Sequence, residues 1–423
     1  MKLISFLFAV LWGIEIHAQD SLSAKILSKY THRFTLDKDE LQGEGAKFLQ
    51  NELKQNQFFY FGEYHGSKRT SEFFKAILPL AKSSGYDFFG LEVGYGAVQL
   101  LEKASINSDS VILNLRKLNT EYLIESNKRN YTPVPFFSGV SDAEFLAEAA
   151  ALDFELVGLD QEFKFGLLAL LDLMFDNCND EQKRYLNQEF ESARDTLALY
   201  YQMELNYYNK TSEDNKRFAL LFHDSVFLND FLEKVSSTNK ENHRIAQSIE
   251  DSIEIYYQGN LRNYWKSNDL RSKSFVNNFR RGLTDENFDF SKDKMIIKTG
   301  GLHAAVGMNN YSMFDLGNTI YELSRFYGHS SVHLDALSRF TIDDDTLRDV
   351  MEESGSWYFK NFKELIQMGD QNEWTIIDLR SMKDDVFYQR KYLLQESTLN
   401  YFKRYDLVII PPADEDLILN VNN

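Results

Sequence analysis

Two short segments far apart in the chain combine histidine, carboxylate and glycine where an apolar run ends. Phe58-Phe59-Tyr60-Phe61 leads into Gly62-Glu63-Tyr64-His65-Gly66, and Met295-Ile296-Ile297-Lys298 leads to Gly300-Gly301-Leu302-His303. A histidine beside carboxylates gains a fixed tautomer and a raised pKa, so it can take a proton from water near neutral pH. His65 is on that ground a candidate general base, with Glu63, Glu92 and His303 as candidate catalytic partners. A single motif of this kind could equally cap the next helix and bond backbone groups. Glu92 closes a second apolar run in Gly90-Leu91-Glu92, and Asp160 closes a third. Four such ends together favour a site.

Cations accompany them. Lys298 ends an apolar run, and Arg271 lies seven residues before Asn278, which puts both on one face of a predicted helix. Either cation could neutralise a carboxylate or stabilise an oxyanion, and Arg271 could equally be a structural clamp on Glu92 or Asp160. Asp160, Arg271, Lys298 and Arg69 are the candidate substrate-binding groups. His329 and His333 flank a strand start without an accompanying acid, an ordinary edge feature more than a metal pair. His32, His223 and His243 have no evident partner. Phe222, Tyr256, Tyr257, Tyr264 and Trp265 could line a pocket, although aromatics at helical spacing are usually core. No metal site and no cofactor site are read from these residues.

The elements that position these groups follow from periodicity. After a polar leader, 41–53 reads as a helix and 57–62 as the first core strand; 69–82 is helical, with Phe73, Phe74, Ile77 and Leu80 on one side, and 87–93 is the second strand. This β-α-β unit predicts a parallel sheet, whose ligands collect at the carboxyl ends of the strands. Helices are expected at 96–128 and 143–152 and a strand at 154–159. From about 163 to 283 the pattern turns to long polar helices without a convincing strand, a helical insertion expected to cover the sheet edge. Strand character returns at 294–298, 331–334, 374–379 and 407–410, and 315–327 reads as a helix stopped by Gly328. The expected architecture is α/β, a mostly parallel central sheet flanked by helices with one helical insertion.

Composition narrows the partners. Met1-Lys2, an apolar stretch to Ile14 and Ile16-His17-Ala18 before Gln19 form an expected secretory signal over 1–18. Its removal leaves 19–423 with the same net charge of −18, and points to a secreted or periplasmic protein without membrane insertion. One cysteine, Cys178, allows no internal disulfide. Beyond Arg280-Arg281 there is no basic run, so nucleic acid is not an expected partner and a small-molecule substrate is. Asn130-Tyr131-Thr132 is a glycosylation acceptor only in a eukaryotic source.

The succession Phe61-Gly62-Glu63-Tyr64-His65-Gly66, Gly90-Leu91-Glu92, Gly158-Leu159-Asp160-Gln161, Arg271 with Phe275 and Asn278, and Gly301-Leu302-His303-Ala304-Ala305-Val306-Gly307 resembles the erythromycin esterase-like family. The similarity continues through Asp315, Arg325-Phe326-Tyr327-Gly328 and Trp374 to Arg380, spanning roughly residue 57 to the C-terminus. It implies an α/β core with a helical insertion and hydrolysis of an ester or lactone by histidine-activated water, without an obligatory metal. Carried over, His65 would be the base, Glu92 its partner or a water-orienting carboxylate, and His303 a second polar group near the reacting carbonyl. Two departures stand out: the first motif is one residue shorter between Glu63 and His65, and a further histidine of the later motif is replaced by Gly300. In these the chain is similar to the ChaN-like haem-binding proteins and the TIKI-type metalloproteases, which imply haem capture or metal-dependent peptide cleavage instead.

Overall fold

The computed structural model of the chain describes residues 20–126, 130–209, 217–343 and 345–422. The expected signal at 1–18 lies outside them. Among the described residues nine strands build the main sheet: β1 (Thr31–Asp37), β2 (Glu40–Gln42), β3 (Phe58–Glu63), β4 (Tyr86–Leu91), β5 (Glu155–Gly158), β6 (Lys294–Gly300), β7 (Ser331–Ala336), β8 (Trp374–Asp378) and β9 (Leu407–Ile410). Their spatial order is β2-β1-β8-β9-β7-β3-β6-β4-β5. From β9 to β5 every pairing is parallel; the pairings among β2, β1, β8 and β9 are antiparallel.

The parallel half explains its own sequence. Alternate residues of β3 face opposite layers: Phe59 and Phe61 pack among Phe73, Phe74 and Phe89 on one side, while Phe58 and Tyr60 pack among Phe279, Ile297 and Leu316 on the other. Both faces are covered, so the strand is apolar throughout, as buried parallel strands are. The first layer is supplied by α1 (Lys68–Ser83) and α2 (Val140–Ala151). The second includes α3 (Tyr264–Asp285) and α4 (Leu316–Phe326).

The stretch expected as a helical insertion holds helices at Leu167–Asp176, Asp180–Asn209, Phe218–His223, Val226–Ser236 and Lys240–Asn260 before α3, with no strand among its described residues. The expected polar leader is instead the hairpin β1–β2. It was missed because Phe34 is the one buried residue of β1, an antiparallel strand near the sheet's margin whose other positions are polar or half-exposed. No helix among the described residues is long and apolar enough to cross a membrane.

Candidate active site

Register brings the carboxyl ends of the parallel strands level. Glu63 of β3 stands opposite Gly300 of β6, Leu91 of β4 opposite Lys298, and Gly158 of β5 opposite Leu91. The chain then crosses itself tightly: a Cβ on Gly62 would lie 2.7 Å from the Gly301 Cα and 2.9 Å from an Asp335 oxygen, so only glycine fits there.

One chain of contacts starts at Lys298. Its Nζ lies 2.5 Å from Glu63 Oε2, with both side chains buried. The other Glu63 oxygen accepts from His65 Nδ1 at 3.0 Å. This bond assigns the proton to Nδ1 and leaves Nε2 facing the cleft. Burial works against the Glu63 carboxylate, yet the Lys298 charge and the His65 bond outweigh it and hold its pKa at about 2. Burial likewise opposes a charged His65. The Glu63 hydrogen bond and the charges of Glu63 and Glu92 overcome that penalty and raise the imidazole above its ordinary value. Phe136 stacks on the ring at 4.1 Å between centroids and fixes its plane.

Glu92 is the hub. Its Oε2 lies 3.8 Å from His65 Nε2 and accepts from the Gly300 backbone N–H. Its Oε1 accepts from Arg271 Nη2 at 3.0 Å and lies 3.5 Å from His303 Nε2. Arg271 also grips Asp160 with Nε at 3.0 Å and Nη2 at 2.6 Å, a forked pairing that fixes the guanidinium plane. Asn278, on the same face of α3, donates to the carbonyls of Leu159 at 3.3 Å and Asp160 at 2.9 Å, which ties that helix to the end of β5.

A second imidazole faces the first across Glu92. His303 Nδ1 is 2.9 Å from Asp315 Oδ2, and its ring stacks on Phe275 at 4.1 Å. Asp315 is the N-cap of α4, its Oδ1 accepting from the Leu316 N–H at 2.8 Å, while Asn309 donates to Oδ2 at 3.3 Å. Capping therefore fixes the carboxylate that orients His303.

His65, Glu63 and Arg271 divide the cleft above these groups into two lobes. One has a volume of about 410 Å³ and reaches Lys298, Ser71 and Asp142. The other, about 490 Å³, includes Glu92, His303, Tyr64 and Tyr311.

The structure thus brings together His65, Glu63, Glu92, His303, Asp160, Arg271 and Lys298. Arg69 does not join them. Its guanidinium is engaged by Glu72 at 2.8 Å and the Ala413 carbonyl at 3.0 Å, and it lines neither lobe. Being on the first turn of α1, it faces the C-terminal segment and not the cleft. His333 is fully buried, not an edge residue, and bonds Ser331 Oγ and the Ala304 carbonyl; burial lowers its pKa. His32 stacks on Phe48, and His223 bonds Asp224. Of the aromatics, Phe222 is core, Tyr256 lines the first lobe, and Tyr264 and Trp265 are exposed.

Sequence reasoning gave Asp315 no site role, although an acid at a helix start twelve residues after His303 was its signal. Asp335, near the end of β7, packs beneath Gly62 and Gly301 and lines neither lobe; burial pushes its carboxyl up to about 7 while Tyr401 donates to it at 2.6 Å. Among the described residues no three His, Cys, Asp or Glu side chains are grouped to hold a metal ion.

No family model matches the sequence, and no curated protein matches it. Among solved structures the chain is similar to a Bacillus cereus protein, with 12% identity over 92% of this chain and 96% of that one and a TM-score of 0.50. It is also similar to a succinoglycan biosynthesis protein, with 13% identity over 93% and 98% and a TM-score of 0.52. An erythromycin esterase mutant in its open conformation matches at 12% identity over 92% and 99%, with a TM-score of 0.49. At such identities the likeness to the Bacillus cereus protein and to the succinoglycan biosynthesis protein is one of fold, and it extends over more than nine-tenths of each chain.

Proposed function

We propose that the chain is a hydrolase that cleaves an ester or lactone of a small molecule with water activated by His65. The observation that carries this reading is the pairing of His65 Nδ1 with Glu63 at 3.0 Å, which leaves Nε2 as a free base beside Glu92 and the second imidazole. Water attacks the carbonyl carbon as its proton passes to His65 Nε2. The carbonyl oxygen becomes an oxyanion, and collapse breaks the bond to the alkoxide, which takes the proton back. Arg271 lines both lobes. Among the described residues its Nη1 donates to no protein acceptor, which leaves a fixed N–H for the oxyanion. His303, oriented by Asp315, is a second polar group near the reacting carbonyl.

The metal-dependent peptidase alternative requires converging ligands, and the donor set does not group in threes among the described residues. The haem-capture alternative rests on Tyr64, exposed next to His65. The separating experiment is hydrolysis of p-nitrophenyl acetate by the wild type and His65→Ala, with chelator present and absent. Chelator-insensitive turnover lost in the variant supports the esterase reading; no turnover, together with stoichiometric haem binding, replaces it. Residues 1–18 are proposed to be a removable secretory signal, which N-terminal sequencing of the mature protein tests.

A further inference from the structure

The lobe on the Lys298 side carries hydrogen-bonding capacity that the esterase chemistry does not use. Lys298 is buried at 4% exposure and lines this lobe, yet among the described residues its ammonium has one hydrogen-bonding partner, Glu63. An ammonium carries three donors, and buried polar groups are rarely left unmatched. Asp142 and Ser71 line the same lobe, both buried and joined by a 2.5 Å bond from Ser71 Oγ to Asp142 Oδ1. Asp142 Oδ2 accepts one further bond, from the Gly139 N–H, so lone pairs remain on both oxygens. The floor therefore offers spare donors beside spare acceptors.

The walls are flat and apolar. Phe136, Phe163, Tyr131 and Tyr256 line the lobe, and Phe136 is already stacked on the catalytic imidazole. A ligand carrying only an anion would meet Glu63, Asp142 and Asp160; one carrying only alkyl groups would bury the Lys298 donors unpaired. A ring with apolar faces and several hydroxyls satisfies both walls and floor, since each hydroxyl donates and accepts.

Resting on the hydrolase reading, we propose that this lobe holds a polyhydroxylated ring, so that the bond cleaved beside His65 is an ester borne on a sugar-like substrate. The test uses the full chain and three acetyl esters: p-nitrophenyl acetate, cyclohexyl acetate and a mono-O-acetylated methyl glucoside, with acetate release as readout. The expected result is a kcat/KM for the acetylated sugar at least about tenfold above that for cyclohexyl acetate. Ser71→Ala and Phe163→Leu should each lower that ratio about tenfold, the scale of one net hydrogen bond for Ser71 and of a small loss of apolar contact for Phe163. Turnover of p-nitrophenyl acetate with no preference between sugar and cyclohexyl esters overturns this inference and leaves the esterase reading standing. Preference that survives in both folded variants also overturns it. No turnover of any ester overturns the hydrolase reading and the inference with it.

Discussion

A methyl group at position 300 probes how closely the His65 ring is fitted against the end of β6. The Cβ of Gly300→Ala would fall 2.8 Å from His65 Nε2, 3.2 Å from Cε1 and 3.4 Å from Glu92 Oε2. Ordinary contact begins near 3.4 Å, so the imidazole must retreat by about 0.6 Å. Phe136 is stacked on the ring at 4.1 Å and Glu63 holds Nδ1 at 3.0 Å, so the retreat loosens one or both. Misplacing a catalytic group by about 1 Å can cost about 10² in rate, which puts the expected loss of kcat at roughly 10- to 100-fold. The backbone offers no objection: φ −61° and ψ 148° suit alanine, and removing glycine from the unfolded chain is worth about 0.4–1 kcal/mol. Stopped assays with p-nitrophenyl acetate beside urea unfolding measure both quantities. A variant with kcat within twofold of the wild type would refute the idea that His65 occupies the space a residue-300 side chain would need.

Other substitutions address the remaining groups. His65→Ala should lower kcat for an activated ester by about 10² to 10⁴ while circular dichroism remains that of the wild type, with the lost bond to buried Glu63 lowering stability by about 1–3 kcal/mol. In the proposed mechanism His65 acts in its deprotonated form, and its pKa is raised above the ordinary 6.5. The acid limb of kcat/KM should therefore have its midpoint above pH 6.5, with activity lost as pH falls through it. Glu63→Gln removes the charge, and weakens the hydrogen bond, of the group that raises that pKa most, so the midpoint should move down; an unmoved limb assigns the titration to another residue. Arg271→Met leaves Glu92 and Asp160 buried without their cation and should destabilise the fold by about 3 kcal/mol, discounted for the partial exposure of Arg271, read as a lowered urea midpoint.

The parallel half of the fold was legible because strands buried on both faces are written as unbroken apolar runs, and glycine with polar residues marks where they leave the sheet. Phe58 to Phe61 and Met295 to Lys298 show both features, and their ends meet as expected. The hairpin β1–β2 was not legible, since a marginal strand needs only one buried residue, Phe34, and its remaining positions read as solvent-facing. Arg271 could be placed on a helix face by spacing alone. Whether it clamped or bound was open until its bonds to Asp160 and Glu92 were seen. Arg69 misled because proximity in sequence to His65 does not fix direction: its side chain leaves the first turn of α1 toward Ala413. Ser71 and Asp142 carry no motif. They belong to two different helices and become a pair only when α1 packs on α2.

Under the proposed hydrolase mechanism, charge accounts for how these groups would move a proton from water. Glu63, Glu92, Asp160 and Asp315 surround the two imidazoles, with Lys298 and Arg271 as the cations beside them. Lys298 is paired to Glu63, Arg271 grips both Asp160 and Glu92, and Glu92 is also the carboxylate that both imidazoles share. When His65 takes the water proton, the new positive charge appears next to Glu63 and Glu92, already fixed in place by Lys298, by Arg271 and by the Gly300 N–H. Preformed dipoles and charges of this kind stabilise a transition state without reorganising. The same carboxylates repel the developing oxyanion, which must therefore be turned away from Glu92 and toward Arg271. In the proposed hydrolysis that constraint would set the substrate's orientation: the carbonyl oxygen would point to the guanidinium, and the two halves of the ester would extend into the two lobes that His65, Glu63 and Arg271 divide.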